Sequence, residues 1–123
     1  MAERSAVLTE LIQQAKANSR LDPVKGLASA KDAVERAERI GDNEAKIDAL
    51  NAAAWCHETR TDYSSAFSSP EEPLNTAREL SDQIRCGESL LVLGVVRSGM
   101  MQFAEALSYL KEAIDVFTDL NDA

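Results

Sequence analysis

The sequence predicts an all-α protein built of stacked helix hairpins, and three observations lead to that prediction. Apolar residues from Phe103 to Leu120 recur at alternating spacings of three and four, which places them on one stripe of a helix. An earlier apolar run covers residues 90–96, and Ser98-Gly99 marks a turn between the two. The same pattern returns at a constant period further up the chain, as expected for a repeat protein.

The period is forty residues and needs no gap. When copies of the sequence are aligned at this period, residues of similar type fall at equivalent positions. Aromatic or turn-forming residues align after each loop between paired helices, small residues align about one helical turn later, and large apolar residues align at the helix ends. Such agreement in register predicts hairpins that pack alike. The coinciding sets include Phe103, Tyr63 and Pro23; Ala106, Ala66 and Gly26; Leu107, Phe67 and Leu27; and Leu120, Leu80 and Ile40.

The sequence predicts where each of the first three helices begins and ends. The first covers residues 1–19. Asp22 caps the second, and Pro23 occupies its first position, where a missing N–H costs nothing; this helix should end near Gly41. Asp42 then caps a third helix over 43–60. Apolar side chains expected to face inward are Val7, Leu8, Leu11, Ile12 and Ala15 in the first helix and Ile47, Leu50, Ala53 and Ala54 in the third.

Two prolines interrupt the fourth helix. By the repeat register this helix would span 63–80, but Pro70 and Pro73 fall inside it. A proline within a helix removes a backbone hydrogen bond and costs about 3 kcal/mol. We therefore expect a break around Ser68 to Pro70. Ser68 or Ser69 would cap a shorter helix that carries both prolines in its first turn and continues from Glu71 to Leu80. The prolines either reflect tolerated drift or form a hinge through which hairpins exchange between protomers.

These residues resemble the tetratricopeptide repeat. The third copy follows that family's pattern of Leu-Gly in the first helix, an aromatic residue after the turn, and alanines in the second helix. The period exceeds the usual length of about 34 residues, so the chain is similar to the extended variant of kinesin light chains and bacterial regulators. The resemblance implies a right-handed solenoid of hairpins at about 3–41, 42–82 and 83–120 in a single domain, 1–123. The matching residues are Leu90, Leu93, Gly94, Phe103, Ala106, Leu110 and Ala113, with weaker matches at Leu50, Ala53, Ala54, Tyr63 and Ala66.

The chain ends where the register would begin a fourth hairpin, because Asn121-Asp122 corresponds to Gly41-Asp42. Solenoids cover their last hairpin with a polar capping helix. We expect one of two arrangements. Either residues 1–123 are the N-terminal part of a longer protein, or the uncovered sixth helix is buried by self-association.

Composition narrows the classes of function. A net charge of −8 argues against nucleic-acid binding. The longest apolar run, residues 90–96, is too short to cross a bilayer, and no apolar signal segment follows Met1. Two isolated cysteines, Cys56 and Cys86, suit a reducing compartment. We therefore expect a cytoplasmic protein without a membrane or nucleic-acid partner.

Residues that could carry chemistry are sparse. His57 has Cys56 and Glu58 as neighbours, but adjacent residues on a helix point in different directions. A four-ligand zinc site would need further ligands, and a serine nucleophile would have only His57 as its base. We therefore expect no enzymatic activity, no metal and no cofactor.

The resemblance also implies a binding groove. In tetratricopeptide proteins the first helix of each hairpin lines a concave surface that contacts partners. Trp55 is the candidate anchor there, or else it packs against a neighbouring helix. The mainly acidic and apolar lining favours an apolar peptide and argues against the clamp that holds chaperone carboxylates. The groove positions carried over by register are Asp48, Asn51, Ala52, Trp55, Glu58 and Thr59, and Glu88, Leu91, Val92, Val95 and Ser98.

Taken together, the sequence predicts a non-catalytic protein-interaction module. By resemblance, it would be the sensory or dimerising N-terminal part of a bacterial signalling protein, such as a diguanylate cyclase with a GGDEF output domain. The alternative is a stand-alone adaptor that binds an apolar peptide in its groove. A homodimer would form through the sixth helix or by hairpin exchange.

Overall fold

The computed structural model describes residues 5–60 and 71–122, and all regular structure within these ranges is helical. The predicted all-α class is thereby confirmed. The helices of the described residues are α1 (Ala6–Leu21), α2 (Pro23–Ile40), α3 (Asn43–Thr59), α4 (Glu72–Glu79), α5 (Gln83–Gly99) and α6 (Phe103–Asp122).

Side-chain caps determine where the first helices begin. The Asp22 carboxylate accepts a hydrogen bond from the Lys25 backbone N–H at 3.2 Å, and Asp42 accepts one from Ala45 at 2.9 Å. These bonds satisfy N–H groups that have no partner within the helix. The predicted starts at Pro23 and Asn43 are confirmed, while α1 begins after the capping residue Ser5 and ends two residues later than predicted.

The forty-residue period is visible in the local structure of two turns. Gly41 and Ser81 both have left-handed backbones, with φ of 72° and 55°. The following aspartates, Asp42 and Asp82, donate backbone hydrogen bonds of 3.0 Å to the carbonyls of Ala37 and Ala77. Each aspartate then caps the next helix, so the two turns are alike in every one of these features.

The chain divides into two compact units, and the first extends from Met1 to Asp62. In it α1, α2 and α3 each contact both of the others. Gly26 marks a close approach, because a β-carbon there would lie 2.9 Å from Cys56 Sγ and 3.1 Å from the Ala15 carbonyl oxygen. Small side chains therefore set the spacing of these helices. The buried core of the unit includes Leu8, Ile12, Ala15, Ala30, Ala33, Ala37, Ala45, Ile47, Leu50 and Ala53.

The second unit extends from Tyr63 to Ala123 and is organised around α5, which packs against α4 and α6. Leu90 and Leu93 are its most completely buried large side chains. Two glycines of α5 receive side chains of α6: Leu110 packs over Gly94, and the Phe117 ring packs over Gly87. Without a β-carbon at these glycines, α5 and α6 approach closely.

The fourth helix differs from the prediction. It begins at Glu72, with Glu71 at the capping position and no side-chain cap, whereas the sequence predicted a serine cap and an earlier start. Pro73 does occupy the first turn, where its missing N–H needs no partner, and it is buried. Residues 61–70, with Pro70, Ser68 and Ser69, lie outside the described residues, so the hinge remains a prediction.

The predicted hairpin 42–82 is divided between the two units. Its first helix, α3, belongs to the first unit, and its second, α4, belongs to the second. The single domain over residues 1–123 stays a prediction.

Candidate functional site

The α3 surface predicted to line a groove is largely covered. Asp48 and Asn51 are only 6% and 7% exposed, and Ala52 is buried as well. In this structure these three residues do not line an open surface, and their contact with a partner stays a prediction. The physical reason is that α3 contacts both α1 and α2, so more of its circumference is enclosed than one hairpin contact would enclose. Glu58 and Thr59, towards the helix end, are half-buried.

Trp55 borders a cleft in the first unit. Thr59, one turn further along α3, shares the cleft with Ser19 and Arg20 from the last turn of α1. The volume of this cleft is about 190 Å³. Trp55 itself is half-buried, so part of the residue packs within the unit and part is accessible to solvent. The cleft is thus formed where the C-terminal ends of two helices lie side by side.

The cleft offers both apolar and polar contacts. The indole of Trp55 provides a flat apolar surface and an N–H donor, and the Arg20 guanidinium provides further donors. The Ser19 hydroxyl already donates to the Lys16 carbonyl at 2.9 Å, which leaves its oxygen as an acceptor. Small-molecule sites usually exceed about 300 Å³. A volume of 190 Å³ is better matched to one inserted side chain.

The residue after Trp55 anchors the same segment in the core. Cys56 is fully buried, and its Sγ lies 3.9 Å from the Ala15 carbonyl oxygen of α1. Burial raises the pKa of the Cys56 thiol, so this side chain stays protonated and is a poor nucleophile. Cys56 therefore contributes to the packing that holds α3 against α1 and not to chemistry in the cleft.

In the second unit, the predicted binding positions on α5 separate into covered and open ones. Val92 is buried, so it does not line an open surface in this structure, and its contact with a partner stays a prediction. Val92 is enclosed because α5 packs against two helices. Leu91 and Glu88 are exposed, and Val95 is half-buried. Ile84, one heptad before Leu91, is also exposed and had not been predicted.

A cluster around Arg97 was not predicted either. The Arg97 guanidinium donates to Glu71 Oε1 and, at 2.9 Å, to Gln102 Oε1, while Glu105 lies 3.6 Å away. These partners come from the residue before α4, the turn before α6 and the first turn of α6. Nothing in the sequence beyond an arginine near a turn indicated this cluster, because its partners are up to twenty-six residues away.

Two ionisable groups of the second unit, Cys86 and Asp82, have displaced pKa values. Burial raises the pKa of the Cys86 thiol, although the positive charge of Arg78 opposes the change. Burial also tends to raise the pKa of Asp82, but hydrogen bonds from the Arg85 side chain and backbone, together with its charge, outweigh burial and hold that pKa below its usual range. Both groups are explained by packing and helix capping, so neither marks a reactive site.

Ligand and membrane features were sought among the residues that the structure describes. There, no three histidine, cysteine, aspartate or glutamate side chains come together as metal ligands would. None of the helices described has both the length and the apolar character required to cross a bilayer.

Comparison of the chain with protein-family models, with curated proteins and with solved structures finds no match. The tetratricopeptide resemblance therefore rests on the residues of this chain alone.

Proposed function

We propose that the chain is a non-catalytic interaction module of tetratricopeptide-like hairpins that binds a peptide segment of another protein at the Trp55 cleft. The observation that carries this proposal is the cleft itself. A single tryptophan, half-buried and neighboured by Arg20 and two hydroxyls, has the composition of an interface anchor. The proposal includes a cytoplasmic location, which the two free thiols support.

Two structural features support a repeat architecture. The first is the equivalence of the turns at Gly41 and Ser81. The second is the position at which paired helices come closest. A β-carbon on Gly26 of α2 would lie 3.1 Å from the Ala15 carbonyl, and one on Gly94 of α5 would lie 3.4 Å from the Ala106 carbonyl. Gly26 and Ala106 are eighty residues apart, which is two periods of the repeat.

The cleft chemistry defines the class of peptide. An aliphatic or aromatic side chain of the partner would lie on the Trp55 indole, where burial contributes most of the affinity. The Arg20 guanidinium would pair with a neighbouring aspartate or glutamate of the partner. We therefore expect a segment that combines an apolar residue with an acidic one, in place of the purely apolar peptide predicted from the sequence.

Selection from a random peptide display library on the immobilised protein tests the proposal. Selected peptides should share an apolar residue next to a carboxylate. Trp55→Ala should weaken their binding at least about thirtyfold, which corresponds to roughly 2 kcal/mol for an anchor residue. Arg20→Gln should reduce binding less and should abolish the preference for the acidic residue. Isothermal titration calorimetry measures both effects.

Val24→Ala is the matched control, because Val24 is an exposed apolar residue of the same unit outside the cleft. Its peptide affinity should equal that of the parent protein. Circular dichroism should show unchanged helix content in all three variants. Peptides that bind Trp55→Ala as tightly as the parent would place the binding surface elsewhere and refute the proposal.

A regulatory role as the dimerising part of a larger bacterial signalling protein, such as a diguanylate cyclase, is the second candidate. The observation that favours it is the row of exposed apolar side chains on α6, which include Phe103, Leu107 and Ile114. A self-association surface would suit a module that brings two output domains together.

A further inference from the structure

The α6 helix carries a row of apolar residues that the unit leaves partly uncovered. Phe103, Leu107 and Ile114 are 63%, 66% and 64% exposed. Leu110 and Phe117 lie at the edge of the row, packed over glycines of α5 but still accessible to solvent. We call these five residues the α6 stripe. Their spacings of four, three, four and three are those of a helix that pairs with another helix.

The α6 stripe reads nearly the same in both directions. An aromatic residue stands at each end, Phe103 and Phe117, and aliphatic residues lie between them. If a second copy runs antiparallel with a two-fold axis near Leu110, each Phe103 meets the other copy's Phe117. Each Leu107 then meets the other copy's Ile114, and the two Leu110 side chains meet at the axis. Such self-complementarity is what an isologous dimer interface requires.

Charge favours the same arrangement. The chain carries a net charge of −8, which would repel a second copy at most approach angles. On α6, however, Glu105, Glu112 and Asp119 lie on the side opposite the stripe, because Glu112 is nine residues from Phe103 and each residue turns the helix by about 100°. Two copies that meet at their stripes keep these carboxylates apart. Antiparallel pairing also places the helix dipoles in opposite directions.

We propose that two copies of this chain associate through the α6 stripe as an antiparallel helix pair. The stripe is about 22 Å long, at 1.5 Å per residue. One such helix pair buries less than the roughly 1,200 Å² of standard interfaces, so the dimer is weak and depends on concentration. This inference does not rest on peptide binding at Trp55, since all of its residues belong to the other unit.

Molar mass across concentration provides the first test. Light scattering from micromolar to submillimolar protein should show a rise from the 13.4 kDa of one chain towards twice that mass. Ile114→Glu should remain at the mass of one chain throughout. Ile84→Glu is the matched control, because it introduces the same charge at a similarly exposed isoleucine of the same unit, 57% against 64%; it should dimerise like the parent. Circular dichroism confirms that both variants fold.

Disulfide trapping tests the antiparallel direction. Ala104 and Thr118 lie on the exposed flank of the stripe, one near each end. Upon oxidation, a mixture of Ala104→Cys and Thr118→Cys proteins should form a cross-linked dimer, whereas neither variant alone should do so. The parent, whose two cysteines are buried, serves as the control.

Three results would overturn the inference. The first is a parent protein that keeps the mass of one chain at every concentration, which would leave the stripe to a helix of another protein. The second is an Ile114→Glu variant that associates as the parent does. The third is efficient cross-linking of Ala104→Cys with itself, because a parallel pair brings identical positions together.

Discussion

At the scale of single residues, backbone conformation distinguishes two equivalent turns. Gly41 and Ser81 each follow a helix in the left-handed region, with φ of 72° and 55°. Glycine adopts this region without steric cost, whereas the β-carbon of a serine crowds the following carbonyl. The second turn therefore carries strain that the first does not.

Exchanging the two residues should exchange that strain. Ser81→Gly should raise the free energy of unfolding by about 0.5–1 kcal/mol, and Gly41→Ser should lower it by a similar amount. Urea unfolding followed by circular dichroism measures both. Ser98→Gly is the control: because Ser98 lies within α5, glycine there should destabilise. A stabilising Ser98→Gly, or a neutral Ser81→Gly, would contradict this explanation.

At the scale of helices, Arg97 connects elements that hydrophobic packing alone leaves loosely joined. The short helix α4 has eight residues and lacks a side-chain cap. Arg97, on the last turn of α5, binds Glu71 just before α4 and Gln102 just before α6. Its side chain is largely shielded, with 17% exposure, which strengthens these charge-assisted bonds.

Removing this arginine should loosen the second unit. Arg97→Ala should lower the opening free energy of α4 by about 2 kcal/mol, and Arg97→Lys should recover only part of it, because lysine lacks the planar donor fork. Native-state hydrogen exchange of the α4 amides measures this change.

Arg78→Ala provides the comparison for that experiment. Arg78 pairs with Glu112 at 2.7 Å, but both side chains are about half exposed. Removing the Arg78 side chain should lower the opening free energy of α4 by less than about 1 kcal/mol. If Arg97→Ala and Arg78→Ala lower the opening free energy of α4 by the same amount, the Arg97 cluster stabilises the unit no more than a surface ion pair does.

At the scale of the whole molecule, each unit contains one free, buried cysteine: Cys56 in the first and Cys86 in the second. Burial raises the pKa of both thiols, so labelling in the folded state should be slow at neutral pH and should require opening of the surrounding helices. Each thiol therefore reports on its own unit.

The second unit should open first. In the first unit every helix contacts the other two, whereas in the second α4 and α6 are joined mainly through α5. With increasing urea, Cys86 in a Cys56→Ala protein should become reactive to a thiol reagent before Cys56 in a Cys86→Ala protein does. If the labelling rates of Cys56 and Cys86 depend on urea in the same way, the two units open together.

Much of the fold follows from local patterns in the sequence. Asp22-Pro23 and Gly41-Asp42 predicted helix boundaries correctly, because capping and left-handed turns depend on a few adjacent residues. The fourth helix was predicted less well. Its two prolines allowed several starting points, and the observed start at Glu72 places Pro73 inside the first turn.

The candidate site was predicted only in part. Trp55 was identified as an anchor because of its residue type, yet Arg20 and Ser19 were not, since they come from a different helix more than thirty residues away. Asp48 and Asn51 were assigned to an open groove and are buried. Alanines are distributed around much of α3, so its apolar pattern did not indicate which side would be covered.

The sequence by itself determined the helical class, the forty-residue period and the capped turns, because these depend on residue type and spacing over one or two helical turns. Only the tertiary structure decided which faces remain open, which residues border Trp55 and where Arg97 finds its partners. Those outcomes depend on how helices distant in sequence pack together, and small residues such as Gly26 and Gly94 decide how closely they can do so.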